Sequence, residues 1–353
     1  MTLPTILLAG CVLAAGMEHS TEGVELEDLN IIDWHVHVAG LGYGGSGCFI
    51  NRKMRDSLRY QFYLRIMDVT EKELMDEGDR ILFSKLDNKI RQSRYVDQAV
   101  ILALDGVINA DGVLDEERTQ VYVPNDYVAE ETGKYSTLLF GASINPNRPD
   151  AIDRLNRAAS QGAVLVKWIP SIMDIDPADE RFTDFYRRMA ELRIPLLSHA
   201  GKERSFAEAN DELADPLKLE LPLKMGVTVI AAHIATTGKS EGQRNFDRIL
   251  PLFDRYTNLY TDISSLTQIN KLGYLVTALQ RPRVVDRMVY GSDWPLQFFP
   301  IVSPWYHVRH IGFRRAWRLT RVKNQWDRDI LLKEAMGVPH NVFQARPPGF
   351  EDK

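Results

Sequence analysis

Eight short apolar runs that alternate with longer amphipathic stretches predict a parallel (β/α)8 barrel for this chain. The runs are almost continuously hydrophobic, which is typical of strands that are buried on both faces. Polar residues of a few types recur at the ends of these runs, where the C-terminal face of such a barrel carries its active site. A chain of 353 residues, 44% of them hydrophobic, is long enough for one barrel of this size.

The predicted strands follow one another along most of the chain. They are residues 31–37, 98–105, 137–146, 164–170, 195–201, 228–235, 259–265 and 287–295. The segments between them favour helices, and "PDAIDRLNRAASQ" starts with Pro149-Asp150 and repeats its apolar residues at helical spacing. About sixty residues separate the first two runs, so we predict a long excursion over about 40–96 that could form part of a lid.

The first 25 residues form a distinct segment. "MTLPTILLAGCVLAAG" is apolar, and "LAGC" at 8–11 resembles a lipoprotein cleavage box in which Cys11 would carry the lipid. No Lys or Arg precedes this short run, so an ordinary N-terminal strand or helix is the alternative. We predict an apolar segment and linker over 1–25 and a single domain over 26–353, in a membrane-anchored periplasmic lipoprotein or else a cytoplasmic protein.

Composition restricts the partners of this protein. The net charge is -5, which offers no electrostatic basis for binding nucleic acid. Two distant cysteines, Cys11 and Cys48, cannot make a disulfide framework or a cysteine-type zinc site. We therefore expect a small-molecule substrate, no nucleic acid, and contact with a membrane only through an N-terminal lipid anchor, and the sequence leaves a homodimer open.

The chemistry-bearing residues lie at the predicted strand ends. They are His35 and His37 on the first strand, Lys167 on the fourth, His199 on the fifth, His233 on the sixth and Asp293 on the eighth. Neutral imidazole and carboxylate are common ligands of zinc and similar divalent cations. Alternation along "IIDWHVH" would place Asp33 on the same face as His35 and His37.

These motifs resemble those of the amidohydrolase superfamily, the metal-dependent (β/α)8 hydrolases. The resemblance covers residues from about 30 to 345, rests on "DWHVH", "SHAG", "AAHIA" and "YGSDWP", and is similar to the branch that includes aminocarboxymuconate-semialdehyde decarboxylase. It implies a divalent metal, zinc first, held by His35, His37 and Asp293, with His199 as a further ligand. It implies for His233 either a ligand of a second metal or a group that donates hydrogen bonds and transfers protons.

Lys167 bears on the number of metal ions. It falls where many members of the superfamily carry a carboxylated lysine that bridges two cations, so the resemblance implies one or two ions. Carboxylation needs a neutral amine, and the site would have to lower the lysine pKa by burial or by nearby positive charge. The alternative is a plain ammonium group that binds a substrate carboxylate or pairs with an acid.

The expected reaction is hydrolysis of an amide, ester or lactone-type bond of a small molecule. Asp293 would accept a proton from the attacking water, and His233 would polarise the oxygen under attack. The alternatives are a metal-dependent decarboxylase of a small carboxylic acid and a non-catalytic metal-binding barrel. Candidate substrate-binding residues follow the strand ends and are Arg52, Arg55, Lys202 and Trp294. Candidate hydrogen-bond acceptors for the metal-binding histidines are Asp105, Asn145 and Asp262.

Overall fold

The computed structural model describes residues 25–350, and the centre of this region is a sheet of eight parallel strands. These strands are β1 (Ile31–His37), β2 (Val96–Leu102), β3 (Leu138–Ala142), β4 (Leu165–Trp168), β5 (Leu196–His199), β6 (Val229–Ala232), β7 (Leu259–Asp262) and β8 (Met288–Val289). Their spatial order follows their order in the chain. The predicted (β/α)8 fold class is confirmed, and each predicted run overlaps one strand.

The segment that follows β8 closes the barrel onto β1. The backbone N–H of Asp293 donates to the carbonyl oxygen of His35 at 2.9 Å, and the N–H of His37 donates to the carbonyl oxygen of Trp294 at 2.9 Å. These bonds join residues that lie more than 250 positions apart in the chain. They also place the candidate metal ligands of β1, His35 and His37, beside Asp293, the candidate ligand that follows β8.

Helices occupy most of the connections between the strands. They are α1 (Arg52–Arg55), α2 (Leu58–Met67), α3 (Glu71–Glu77), α4 (Ile81–Arg91), α5 (Asn125–Thr132), α6 (Ala151–Ser160), α7 (Pro170–Met173), α8 (Thr183–Glu191), α9 (Glu220–Lys224), α10 (Asn245–Arg255), α11 (Tyr274–Leu279), α12 (Pro282–Val285), α13 (Val308–Ile311), α14 (Phe313–Leu319), α15 (Gln325–Ala335) and α16 (His340–Phe343). Helices α1–α4 lie between β1 and β2, within the range of the predicted excursion. None of the helices within residues 25–350 is long and apolar enough to cross a membrane. The predicted lipoprotein box with Cys11 lies outside the described residues.

Apolar side chains form two separate layers. A small cluster takes residues from six of the strands and from none of the helices, so it is the interior of the barrel; it contains Ile32, Trp34, Val100, Leu102, Leu165, Leu197, Ile230, Ala232 and Val289. A larger cluster fills the space between strands and helices, and α6, for example, buries Leu155 and Ala158 there. Burial on both faces explains why the strands are continuous apolar runs in the sequence.

A bulge in β1 turns its two histidines towards the barrel interior. Asp33 pairs with Ala99 of β2 and Val36 pairs with Ile101, so β1 advances three residues while β2 advances two. Ile32, before the bulge, and Trp34, within it, belong to the inner cluster, whereas Val36, after it, belongs to the outer one. The strict alternation of faces along the strand is therefore broken at this point.

The bulge makes one sequence expectation wrong, because Asp33 does not share a face with His35 and His37. Its carboxylate accepts a hydrogen bond from the indole Nε1 of Trp326 at 2.7 Å and another from the backbone N–H of Ser292 at 2.8 Å. Trp326 belongs to α15, which packs on the outside of the barrel. Asp33 thus ties β1 to the helical layer and to the segment after β8.

We predict that Asp33→Ala lowers the free energy of unfolding by about 2–4 kcal/mol, because three buried N–H donors, those of His35, Ser292 and Trp326, lose their acceptor. Urea denaturation measures this change, and Asp56→Ala, at an exposed site, serves as the control. The variant should retain the same metal content as the wild type when folded. A loss of metal with an unchanged free energy of unfolding would contradict the structural role of Asp33.

Candidate metal centre

The structure brings together the side chains that the sequence singles out at the strand ends. His35 and His37 come from β1, His199 ends β5, and His233 and Asp293 follow β6 and β8. The imidazole centroid of His233 lies 5.3 Å from that of His35 and 5.4 Å from that of His199. All five line one cavity at the C-terminal end of the barrel.

His35 and His37 present their Nε2 atoms to the same point. These two nitrogens lie 3.1 Å apart, and the Oδ1 atom of Asp293 lies 3.6 Å from the first and 3.5 Å from the second. Ligands bound about 2.1 Å from one ion at tetrahedral angles are about 3.4 Å apart. The three donor atoms therefore have the mutual spacing that one divalent cation requires.

Asp262 orients His35 and connects it to His233. The Nδ1 atom of His35 donates to Asp262 Oδ2 at 2.7 Å, while Asp262 Oδ1 accepts the backbone N–H of His233 at 2.8 Å. The hydroxyl of Ser264 donates to the same Oδ1 at 2.6 Å and lies 2.7 Å from His233 Nδ1. Both imidazoles consequently leave their Nε2 atoms for the cavity.

Gly291 allows His35 and Asp262 to approach each other. A Cβ atom at this position would lie 3.1 Å from the Cβ of His35 and 3.4 Å from the Cβ of Asp262. Glycine is therefore the residue that fits this point of "YGSDWP" without displacing the histidine.

His199 carries a buried nitrogen that no group of the described residues satisfies. Its Nε2 atom has no hydrogen-bond partner, and the nearest carboxylate oxygen, Oε2 of Glu203, is 3.5 Å away. An unpaired buried polar atom costs about 1–3 kcal/mol. A cation bound in the cavity would supply the missing partner, which supports the metal assignment independently of the His35–His37–Asp293 spacing.

The ionisation of the cluster suits metal binding. Burial lowers the pKa of His35 to about 4, and it also lowers the pKa of His199 and of His233. Burial opposes ionisation of Asp293, but the hydrogen bond with His37 and the neighbouring imidazoles hold the pKa of this carboxyl well below its usual range. Neutral imidazoles and an ionised carboxylate are the forms that bind a metal ion.

Lys167 reaches the same cluster from β4. Its Nζ atom lies 3.0 Å from His35 Nε2 and is buried. Burial lowers the pKa of Lys167 to about 8, so the neutral amine is accessible near neutral pH. A cation on His35 Nε2 would compete with Lys167 for that nitrogen, and the lysine side chain would have to turn away from it.

Backbone strain is concentrated at this end of the barrel. His233, Ser265 and Asp293 have φ angles of 55°, 58° and 62°, which are uncommon for residues with a side chain. Each follows a different strand, and the hydroxyl of Ser265 donates to Asp293 Oδ2. Strained backbone of this kind costs about 1–3 kcal/mol per residue and clusters at functional sites.

Two charged residues of the cavity were missed by sequence reasoning. Glu203 lies four residues after His199, and its Oε1 atom accepts the backbone N–H of Arg204 at 2.6 Å. Lys271 lies on a short 3-10 helix, Ile269–Lys271, between β7 and α11. The acidic residue inside "SHAGKERS" was a usable signal, whereas "QINKLG" contains nothing that marks Lys271 in advance.

Not all predicted substrate-binding residues reach the cavity. Lys202 lines it but pairs with Asp211 at 3.2 Å. Arg52 is 95% exposed, and Arg55 lies near Glu71; neither contributes to the cavity wall. Trp294 is buried behind the site, where it stacks on a second tryptophan and donates to a glutamine side chain.

Of the three predicted acceptors for the histidines, Asp262 alone contacts one of them among the described residues. Asp105 instead receives two bonds from the guanidinium of Arg148, at 2.6 and 2.8 Å. The amide Nδ2 of Asn145 donates to the carbonyl oxygens of Gly106 and Met173. Asp105 and Asn145 therefore brace the ends of β2 and β3 and do not orient the metal ligands.

Comparison with known proteins agrees with the fold and with this cluster. The family model described as Amidohydrolase, of the second amidohydrolase family, matches residues 32–309, and the chain belongs to this family. No curated protein matches the chain. Members of this family are enzymes that act on small molecules, and family membership together with the histidine–aspartate cluster indicates a divalent metal site.

A search of solved structures found similar chains of low sequence identity. An uncharacterised TIM-barrel protein from Bordetella bronchiseptica is 18% identical, with a TM-score of 0.52, over 87% of this chain and 99% of that one. A protein from Pseudomonas putida described as a 2-pyrone-4,6-dicarboxylic acid hydrolase is 14% identical, with a TM-score of 0.45, over 87% and 98%. The 5-carboxyvanillate decarboxylase from Sphingomonas paucimobilis is 13% identical, with a TM-score of 0.44, over 90% and 100%.

We predict that Asp262→Asn lowers the affinity for zinc by about 10–100-fold, because His35 loses the carboxylate that orients it. Competition with a coloured chelator measures this affinity. Asp254→Asn, an exposed surface change, should leave it unchanged. Equal zinc affinities of Asp262→Asn and the wild type would show that the bond to His35 has no bearing on a metal.

Proposed function

We propose that this protein is a metal-dependent hydrolase that cleaves an amide, ester or lactone-type bond of a small molecule. The observation that carries the proposal is the position of Asp293. One oxygen of this carboxylate faces the Nε2 atoms of His35 and His37, and the other accepts the hydroxyl of Ser265. A carboxylate held in this way can take a proton from water beside the histidines and return it to a leaving group.

We infer that His35, His37, Asp293 and His199 would hold one zinc ion. When bound, a divalent cation lowers the pKa of water and polarises an oxygen of the substrate. The Ser264 hydroxyl donates to Asp262, so His233 Nδ1 carries the ring proton towards Ser264, and its Nε2 lone pair faces the cavity, where it would accept a hydrogen bond or a proton from the attacking water. Ser265 and Gln268 hold the Asp293 carboxylate, since Gln268 Nε2 donates to the Ser265 hydroxyl at 2.7 Å.

We propose that Lys167 stays uncarboxylated. The buried carboxylates of Asp262, Asp293 and Glu203 favour the ammonium form of Lys167, and they oppose a further negative charge on a carbamate. The expected zinc content is therefore one ion per chain, and the protein should show no carbamate resonance in ¹³C NMR with labelled bicarbonate. Two ions per chain together with such a resonance would overturn this assignment.

A decarboxylase is the second candidate function. The observation in its favour is the presence of two buried lysines, Lys167 and Lys271, on the cavity wall. Either ammonium group could hold the carboxylate of a small acid next to the metal centre. Release of carbon dioxide from small acids, with no hydrolysis of esters, amides or lactones, would favour this candidate.

Asp293→Asn tests the proposed hydrolase. We predict that turnover of a hydrolysed ester, amide or lactone falls by about 10²–10⁴-fold, because the amide cannot accept the proton. A panel of such compounds is assayed with the zinc-loaded protein, and Asp286→Asn, at an exposed position, is the control. Unchanged turnover in Asp293→Asn would remove this residue from the reaction.

A further inference from the structure

The cavity above the metal centre has a polar end and an apolar end. The polar end consists of the strand-end residues described above, together with Glu203 and Lys271. The apolar end comes mainly from one segment of the chain, the region of α1–α4 between β1 and β2. Its aliphatic and thioether side chains on the cavity are Met54, Leu64, Met67, Val69, Leu74 and Leu82, and Tyr60 and Tyr63 also line it.

Lys271 is a buried cation without a close partner. The residue is 5% exposed and lines the cavity, and none of the described residues forms a hydrogen bond or a close ion pair with its Nζ atom. Its backbone is held in place, because its N–H donates to the carbonyl oxygen of Gln268 at 2.9 Å, and the N–H of Ile269 donates to that of Ile301 at 2.9 Å. A buried charge with no partner is costly unless a ligand supplies one.

The other cations of the cavity do not share this property. Lys167 contacts His35, and Lys202 pairs with Asp211. Arg204 is exposed to solvent. Among the described residues, Lys271 is thus the buried cation of the cavity wall whose Nζ atom forms no hydrogen bond or close ion pair with another side chain, and it is free to bind an anionic group of a ligand.

The net charge of the buried groups around the centre favours a ligand with one negative charge. Three buried carboxylates, those of Glu203, Asp262 and Asp293, face the ammonium groups of Lys167 and Lys271. Three negative and two positive groups leave one net negative charge. A divalent cation bound at the centre would change this to one net positive charge. A ligand with a single negative charge would neutralise that excess, whereas a second carboxylate would lie against the apolar side chains of α1–α4.

We propose that Lys271 is a specificity-determining residue that binds the single carboxylate of the substrate, while the uncharged, apolar remainder packs on the α1–α4 side of the cavity. The proposal rests on the proposed function for the reaction, but binding can be measured without turnover. The cavity encloses about 140 Å³. This is close to the ~150 Å³ of an engineered cavity that accepts benzene, so a body the size of one ring fits.

Four probes separate these contributions in binding measurements on the zinc-loaded protein. They are benzoate, its neutral isostere benzamide, acetate, which lacks the apolar body, and isophthalate, which adds a second carboxylate. Isothermal titration calorimetry should show benzoate binding about 10–100-fold more tightly than benzamide, as expected for a buried charged hydrogen bond. Benzoate should also bind at least tenfold more tightly than acetate and isophthalate.

Lys271→Met should reduce the preference for benzoate over benzamide to less than threefold, and Lys271→Arg should retain most of it. Lys323→Met, an exposed change, is the matched control, and thermal unfolding with zinc analysis verifies that each variant is folded and loaded. Leu64→Ser should lower the affinity for benzoate severalfold and leave the affinity for acetate unchanged. This pair of variants tests the two ends of the cavity separately.

Equal weakening of benzoate and benzamide in Lys271→Met would overturn the proposal, because Lys271 would then only balance the charges of Glu203 and Asp293. If isophthalate binds as tightly as benzoate, the inference that an uncharged, apolar part of the substrate packs on the α1–α4 side is wrong. If these binding preferences hold while Asp293→Asn leaves hydrolysis unchanged, the proposed reaction fails and the role of Lys271 stands.

Discussion

The backbone pairing between β1 and the segment after β8 is the contact on which the site depends. The N–H of Asp293 donates to the carbonyl oxygen of His35, so residues from the first and the eighth strand ends lie side by side. The bulge in β1 adds the second condition, because it turns His35 and His37 inwards and leaves Asp33 to Trp326. Without both features the three donor atoms could not come within 3.6 Å of one another.

Around this pairing the barrel uses hydrogen bonds to aim side chains that would otherwise rotate. Asp262 holds the ring of His35, Ser264 holds that of His233, and Ser265 holds the carboxylate of Asp293. The acceptors and hydroxyls come from β7 and the residues just after it. One strand end therefore orients groups that belong to three others, and its own orienting side chains are buried.

The excursion between β1 and β2 lines the cavity and supplies none of the candidate metal ligands. Its helices contribute apolar side chains to the cavity, and it contacts the loop after β5 through an ion pair between Lys53 and Glu208 and the loop after β8 through Phe62 and Phe298. In the proposed function the barrel would contribute the reactive groups, while the excursion would shape the space for the substrate. This division agrees with the general placement of chemistry on barrel strand ends and of selectivity on loops.

From the residue pattern alone, the barrel, its eight strands and the strand-end histidines with Asp293 could be predicted, because burial on both faces makes the strands continuous apolar runs and polar residues at their ends stand out. The positions of the Asp33, Arg52 and Lys271 side chains could not be predicted in this way. Asp33 changes side through a bulge that depends on pairing with β2, Arg52 is directed to solvent by its helix, and Lys271 reaches the cavity because a loop after β7 folds back over the barrel end. Each of these outcomes depends on contacts between segments far apart in the chain, which local periodicity does not encode.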